Sequence, residues 1–357
     1  MRVAVYTIAL NEEQFVKDWY ESAKEADYLL IADTGSTDNT VSYATDLGIN
    51  VAHISIKPWR FDDARNASLA VIPDDIDYCI ALDMDEVLLP GWREELEKAH
   101  KEGWTRPRYQ YTWSWKEDGT PGLQYGGDKI HKRHGYRWKH PVHEVLVSDR
   151  LDEVQGWAGL QIHHHADNSK PRSQYMPLLA QSVKEDPTDD RNAFYYAREL
   201  FFYSRFEESA EEFKRHLSLP KATWKPERAA SMRYIAKMVD GDEKAEWLLK
   251  AHNECPDRRE ALVDLAEYYY QREMWTACYQ AAEKALAIKE KPLEYLCEEF
   301  AWGSAPWDFA AIAYYRLGKF DKALQYGRKA VELSPQDPRL TANLAFYLKE
   351  QSLGDNI

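Results

Sequence analysis

Residues 28–40 read YLLIADTGSTDNT, an apolar run closed by Asp33, followed by a turn built on Gly35 and a cluster of hydroxyl and acidic side chains. The run has the length and polar boundaries of a buried strand. Gly35 lets the backbone turn sharply, and Thr37 or Asp38 can cap a helix that follows. An acidic residue at such a strand end can hold the ribose or base of a nucleotide. Asp-Thr-Gly-Ser is also a good generic turn, so the weight of the motif comes from its surroundings.

Those surroundings repeat the pattern. VAVYTIAL (3–10), VAHISI (51–56) and YCIALD (78–83) are further strand-like runs. Between the first two strands, EEQFVKDWYESAKEA (12–26) sets Phe15, Trp19 and Ser22 at helical spacing. After the second, TDNTVSYATDLG (37–48) ends on the glycine expected just past a helix. Alternating strand and helix predicts an α/β domain with a parallel sheet, with ligands at the carboxyl ends of the strands.

From about residue 172 the periodicity becomes helical, so the boundary is placed in HADNSKPRSQ (165–174), giving domains 1–170 and 171–357. Trp307, Ala311, Tyr314, Gly318, Phe320, Ala323, Ala330 and Pro335 stand where tetratricopeptide repeats carry their packing residues. Leu262 to Ala285 follows the template more loosely, and Ala197 to Phe213 more loosely still. KPLEYLCEEFAWGSAP (291–306) is inserted between the last two repeats. A plain helical bundle is the alternative; either way the second half is all-α.

The second chemical motif is DMDE, Asp83 to Glu86, directly after YCIAL. An extended segment would point Asp83 and Asp85 to one side, where two carboxylates repel unless a cation intervenes. A hard divalent ion, Mn²⁺ or Mg²⁺, bound to Asp85 and to diphosphate oxygens would answer both charges. A solvated acidic turn is the alternative.

Composition limits the classes. The 357 residues exceed one ordinary core, and no apolar run approaches a membrane span. The opening residues lack a secretory core, and Cys79, Cys255, Cys278 and Cys297 lack zinc or dithiol spacing, so a cytoplasmic setting is expected. Lys and Arg total 46 against 60 Asp and Glu, a net charge of −14, which disfavours bulk nucleic-acid binding. A basic strip from Lys129 through Arg133 and Arg137 to Lys139 could meet phosphates, or could be a solvated hairpin.

LNEE after the first strand, DTGSTDNT, FDDARN (61–66) and DMDE occur in the order and approximate spacing of family 2 glycosyltransferases. The first half therefore resembles that family's GT-A (Rossmann-like) fold, and with the repeats the chain resembles its tetratricopeptide-linked branch. The resemblance implies a metal-dependent, inverting transferase moving one sugar from a nucleotide-sugar, a UDP-sugar by resemblance. It places Ala9, Asn11 and Glu12 near the nucleotide, Asp33 on the base or ribose, Arg65 near the donor, Asp83 near its ribose and Asp85 on the metal. A structural tie is nearly as good a reading for Arg65. Glu144, in HPVHE (140–144), matches the usual position of the base, its alternative being a salt bridge to Arg137 or Lys139.

In IHHHAD (162–167), His164 points opposite to His163 and His165 on a strand; the resemblance selects His164 for the metal, with the other two as substitutes. Tyr111, Trp113 and Trp115 read as an aromatic strand near the centre, for sugar stacking or for packing. The family's Gln-x-x-Arg-Trp acceptor motif is absent, and Gly135 to Trp138 only echoes its end, which favours single transfer over processive synthesis. A peptide or protein acceptor leads because solenoid surfaces bind such partners. A cell-surface glycan precursor comes second and a modified DNA base third. A homodimer would be compatible with this reading. Rival classes are a non-catalytic scaffold and a nucleotidyltransferase.

Overall fold

Val3 to Tyr6 are completely buried, as an unbroken apolar run in a parallel sheet covered on both faces requires. The computed structural model describes residues 1–149, 152–167 and 175–354. The chain divides into two units, Met1–Glu185 and Asp186–Ile357. Lys170 and the rest of 168–174 lie outside the described residues, and the division falls later than the expected boundary because helix Tyr175–Glu185 belongs to the first unit.

The first unit runs β1 (Val3–Ala9), α1 (Val16–Ala23), β2 (Tyr28–Asp33), α2 (Thr40–Asp46), β3 (Asn50–His53), α3 (Phe61–Ala70) and β4 (Tyr78–Ala81). It continues with β5 (Glu86–Leu88), α4 (Trp92–Lys101), β6 (Arg108–Thr112), β7 (Gln124–Gly127), β8 (Ile130–Lys132), β9 (Tyr136–Lys139), β10 (Val145–Ser148), β11 (Trp157–His164) and α5 (Tyr175–Glu185). The main sheet has the order β3-β2-β1-β4-β8, parallel except for β8. The α/β expectation holds, with the four predicted strands adjacent.

A second sheet, β5-β11-β6-β7, gathers the segments that follow the DMDE motif. β11 pairs antiparallel with β5, setting His164 opposite Glu86, and parallel with β6, setting His163 opposite Thr112. Along β11 the buried residues are Ala158, Leu160, Ile162 and His164, so His164 faces inward and His163 does not share that face. Two tryptophans tie α1 to its neighbours, one at the end of β4 and one from α4. Trp19 donates Nε1–H to the Leu82 carbonyl at 3.0 Å, and Trp92 donates to the Ser22 carbonyl at 3.1 Å.

The second unit is a series of antiparallel helix pairs: α6 (Asp190–Phe202) with α7 (Phe206–Ser218), α8 (Lys225–Lys237) with α9 (Gly241–Glu254), and α10 (Glu260–Gln271) with α11 (Trp275–Ala287). The short α12 (Glu299–Trp302) lies in the insertion, and α13 (Ala305–Arg316), α14 (Phe320–Leu333) and α15 (Pro338–Gly354) close the array. Small residues fill the crossings: Ala266, Cys278, Ala282, Ala285, Ala310, Ala311 and Ala313 are all fully buried. The pair α8–α9 is a unit that the repeat template does not mark in the sequence. Among the described residues, no helix is long and apolar enough to cross a membrane.

Candidate active site

The loops after β1 and β2 are stitched together by side chains. Asn11, held at φ 56°, accepts from Thr37 N at 2.8 Å and donates its own N–H to Ser36 Oγ at 2.9 Å. Glu12 N donates to Thr40 Oγ1 at 2.7 Å, and Glu13 accepts from Asn39 N at 2.8 Å. Ala9 is buried at the end of β1, and its carbonyl accepts from Thr34 N at 2.9 Å. LNEE and DTGSTDNT therefore form one structure.

Asp33 is only 3% exposed, and its carboxylate accepts from Gly35 N and Ser36 N, both at 3.1 Å, and contacts His53 Nδ1 at 3.2 Å. Burial alone would raise its pKa, but the hydrogen bonds from Ser36, His53 and Gly35 hold it below the ordinary carboxylate value. Asp33 thus shapes its own turn, while the imidazole of His53 beside it is exposed.

The DMDE segment is not extended, which corrects the expected alternation. Glu86 N donates to Asp83 O at 2.9 Å while Asp83 N donates to Glu86 Oε2 at 2.8 Å, closing a turn. The turn sends the two aspartates to different partners. Asp83 takes Arg65 Nη2 at 2.7 Å and Lys129 Nζ at 2.6 Å. Despite desolvation by the surrounding protein, those two cations hold its carboxyl well below the usual range. No cation is needed between Asp83 and Asp85 to explain their proximity in sequence, because Asp83 is already compensated.

Glu86 is the carboxylate that sequence reasoning missed. It is 1% exposed and accepts from Tyr111 Oη at 2.6 Å and Lys129 Nζ at 3.2 Å, and burial pushes its pKa up. Lys129, read as the start of a basic strip, is a buttress of this cluster. The strip itself is dispersed: His131 is buried, Lys132 lies over the Tyr78 ring, Arg133 donates to the Ile72 carbonyl and Arg137 pairs with Asp149. It is not a continuous phosphate-facing surface.

Arg65 joins three elements. From α3 it donates Nη2–H to Asp83 and Nε–H to Glu144 Oε1 at 2.5 Å, and its guanidinium stacks 4.9 Å from the centre of the Trp138 ring on β9. The carboxylate tie considered for Arg65 is present, and the partner of Glu144 is Arg65, not Arg137 or Lys139. Burial opposes the charge of Arg65, but Asp83 and Glu144 outweigh it and raise its pKa. Its Nη1 is buried without a hydrogen-bond partner. The HPVHE loop that carries Glu144 is anchored to α3 by Phe61 N to Pro141 O at 2.9 Å, and its His140 and His143 adopt positive φ of 88° and 50°. Such backbone in non-glycine residues stores strain and gathers at functional sites.

Asp85 and His164 meet. His164 Nε2 is 3.3 Å from Asp85 Oδ2, and His165 N donates to Asp85 O at 2.7 Å. His164 Nδ1 is 2.9 Å from the Trp113 carbonyl, which can only accept, so Nδ1 carries the hydrogen. The Nε2 lone pair is then directed to a carboxylate, and a proton or a metal ion must lie between them. Burial pushes the imidazole pKa down, but Asp85 and the Trp113 carbonyl outweigh it, and the net direction is up. Trp113 also stacks on His164, centroids 4.4 Å apart, while Trp115 stacks on His165 and meets His163 edge-on. His163 and His165 therefore belong to an aromatic sandwich.

Residues 4–139 match the model of the family described as glycosyl transferase family 2, and residues 305–337 match that of the tetratricopeptide repeat. The first match ends before Glu144 and His164. A TPR repeat-containing protein of Synechococcus elongatus is 28% identical over 161 residues, which are 43% of this chain and 37% of that protein. The chain thus spans well under half the length of that relative. Among solved structures, part of a TPR repeat-containing protein of Cytophaga hutchinsonii aligns with 51% of this chain and 67% of its own at 14% identity, TM-score 0.41. Yeast Tom70 aligns with 52% of this chain and 37% of its own at 16% identity, TM-score 0.39.

Proposed function

We propose, on the premise that residues 4–139 are a family 2 glycosyltransferase domain and residues 305–337 a tetratricopeptide repeat, that this protein is a metal-dependent inverting transferase moving one sugar from a UDP-sugar to a peptide or protein. The observation that carries the metal is the approach of Asp85 and His164 with the far imidazole nitrogen fixed on a backbone carbonyl. That is how metal-binding histidines are oriented. These are two donors and not a closed cage, which suits Mn²⁺ or Mg²⁺ sharing its remaining positions with water and substrate oxygens. When bound, the ion would neutralise charge developing on the departing diphosphate.

The residues around it have separable tasks. Asn11, Glu12 and Asp33 hold the two nucleotide-side loops in register, with Ala9 at their base. Asp83, 30% exposed, presents a charged carboxylate toward the donor ribose while Arg65 and Lys129 fix its direction. Glu144 is the base that removes the acceptor proton; one of its oxygens is oriented by Arg65, and the other is not part of that ion pair. The helical unit supplies the surface for a polypeptide acceptor, as solenoid surfaces commonly do.

A thermal-shift screen of nucleotide-sugars tests the reading. A UDP-sugar at a hundred times its Kd should stabilise the wild type by about 2.7 kcal/mol, only with Mn²⁺ or Mg²⁺ present, and Asp85→Ala should lose the effect. Equal shifts in both proteins would remove Asp85 from the metal site. For Glu144→Gln, donor affinity should persist while transfer slows by about 10²- to 10⁴-fold in a single-turnover assay. Normal turnover would eliminate Glu144 as base, and release of pyrophosphate instead of UDP would overturn glycosyl transfer itself.

A further inference from the structure

Asp190, His216 and Glu227 come from three different helices of the second unit, yet each offers a donor atom within 4.8 Å of the other two. Asp190 opens α6, His216 lies in the last turn of α7 and Glu227 in the first turn of α8. His216 and Glu227 are 0% and 4% exposed, and Asp190 is half-buried at the rim. Donors about 2.1 Å from one ion stand roughly 3 to 4.2 Å apart, so small side-chain rotations would bring all three onto a single centre.

His216 is fixed on one side only. Its Nδ1 is 2.9 Å from Ser231 Oγ, which fixes the ring, while its Nε2 is completely enclosed and has no hydrogen-bond partner. That nitrogen lies 3.4 Å from Glu227 Oε1, within ion-pair reach but without a hydrogen bond. A buried imidazole nitrogen left unsatisfied beside a carboxylate is costly. Glu227 is oriented from behind as well: its Oε2 accepts from Tyr295 Oη at 2.8 Å, leaving Oε1 toward the histidine.

Tyr295 belongs to the insertion that breaks the repeat spacing. Its ring lies parallel to Tyr195 at 6.4 Å and beside Trp224 at 5.5 Å, so the inserted segment reaches back to α6 and α8. An imidazole held by a hydroxyl and a carboxylate held by a phenol are the outer contacts that orient metal ligands.

We propose that Asp190, His216 and Glu227 bind one divalent first-row transition ion, of which Zn²⁺ is the best match, as a structural metal of the helical unit. One imidazole and two carboxylates suit that class, and the ion would enter past the half-buried Asp190. The site is independent of the transfer reaction.

The test uses the full chain carrying Asp85→Ala, which disables the metal site proposed for catalysis, stripped with chelator and titrated with Co²⁺. One equivalent should bind with visible ligand-field bands, one equivalent of Zn²⁺ should displace it, and the Tm should rise. His216→Gln and Asp190→Asn, introduced separately, should each weaken binding by more than about 100-fold, and Tyr295→Phe by about 10- to 100-fold. A stripped chain that shows no such bands overturns the proposal whether or not the variants fold. Bands and affinity unchanged in Asp190→Asn, the half-buried rim residue least needed for folding, overturn it equally.

Discussion

His131 shows how one buried side chain couples the core to the candidate site. Its Nδ1 is 2.7 Å from the Lys132 carbonyl and its Nε2 3.2 Å from Tyr6 Oη, which in turn accepts from Trp138 Nε1 at 2.8 Å. The carbonyl can only accept, so Nδ1 carries the hydrogen and Nε2 receives the tyrosine hydroxyl. Burial pushes the pKa of His131 down to about 4. Because the folded value lies below the unfolded value of about 6.5, its contribution is complete above pH 6.5 and is lost as pH falls toward 4. The expected loss is about 3 kcal/mol, read by urea unfolding across that window, and His131→Asn should flatten it. Trp138 supports Arg65, so acid would loosen the guanidinium as well. Part of this was legible: Arg65, Asp83, Asp85, Glu144 and His164 stand out by residue type and motif, and the structure brings Arg65 to Asp83 and Glu144 and Asp85 to His164. Glu86 and Lys129 were not legible as partners, because an ion pair spanning 43 residues leaves no local pattern.

At the scale of elements, the strands were readable because buried parallel strands are continuous apolar runs, whereas the turn at Asp83 was hidden. Its hydrogen bonds come from a glutamate side chain that sequence periodicity assigns to the next strand. The pair α8–α9 escaped for a related reason: α8 is buried nearly all round, including Glu227 and Arg233, so no polar face marks it in the sequence. The loop after β2 yields a prediction. Gly35 has φ 118°, and a Cβ there would meet nothing within 4 Å, so Gly35→Ala is penalised by backbone strain alone. It should lose about 1–3 kcal/mol in urea unfolding and, by moving the amides of Gly35 and Ser36 that Asp33 holds, weaken UDP-sugar binding in a titration. Unchanged stability with unchanged affinity would mean that the loop tolerates another path.

At the scale of the whole molecule, each unit carries its own buried clusters, one around Val5, Trp19, Ile80 and Leu96, the other around Leu262, Ala282 and Ala310. Residues 1–185 and 186–357 expressed separately should therefore each unfold in a cooperative transition, with UDP-sugar binding retained by the first. Loss of cooperative unfolding in either piece would show that its core does not suffice alone. In an ordinary solenoid each repeat touches only its neighbours, so the ends fray and units can be duplicated or deleted without disturbing the rest. Tyr295 skips that rule by reaching Glu227 and Tyr195, and Arg233 and Arg258 bind Glu298 and Glu294 of the same insertion. The segment acts as a clasp across the array. A repeat copied or excised between α6 and this insertion would unfasten it, whereas helices beyond the insertion are under no such constraint.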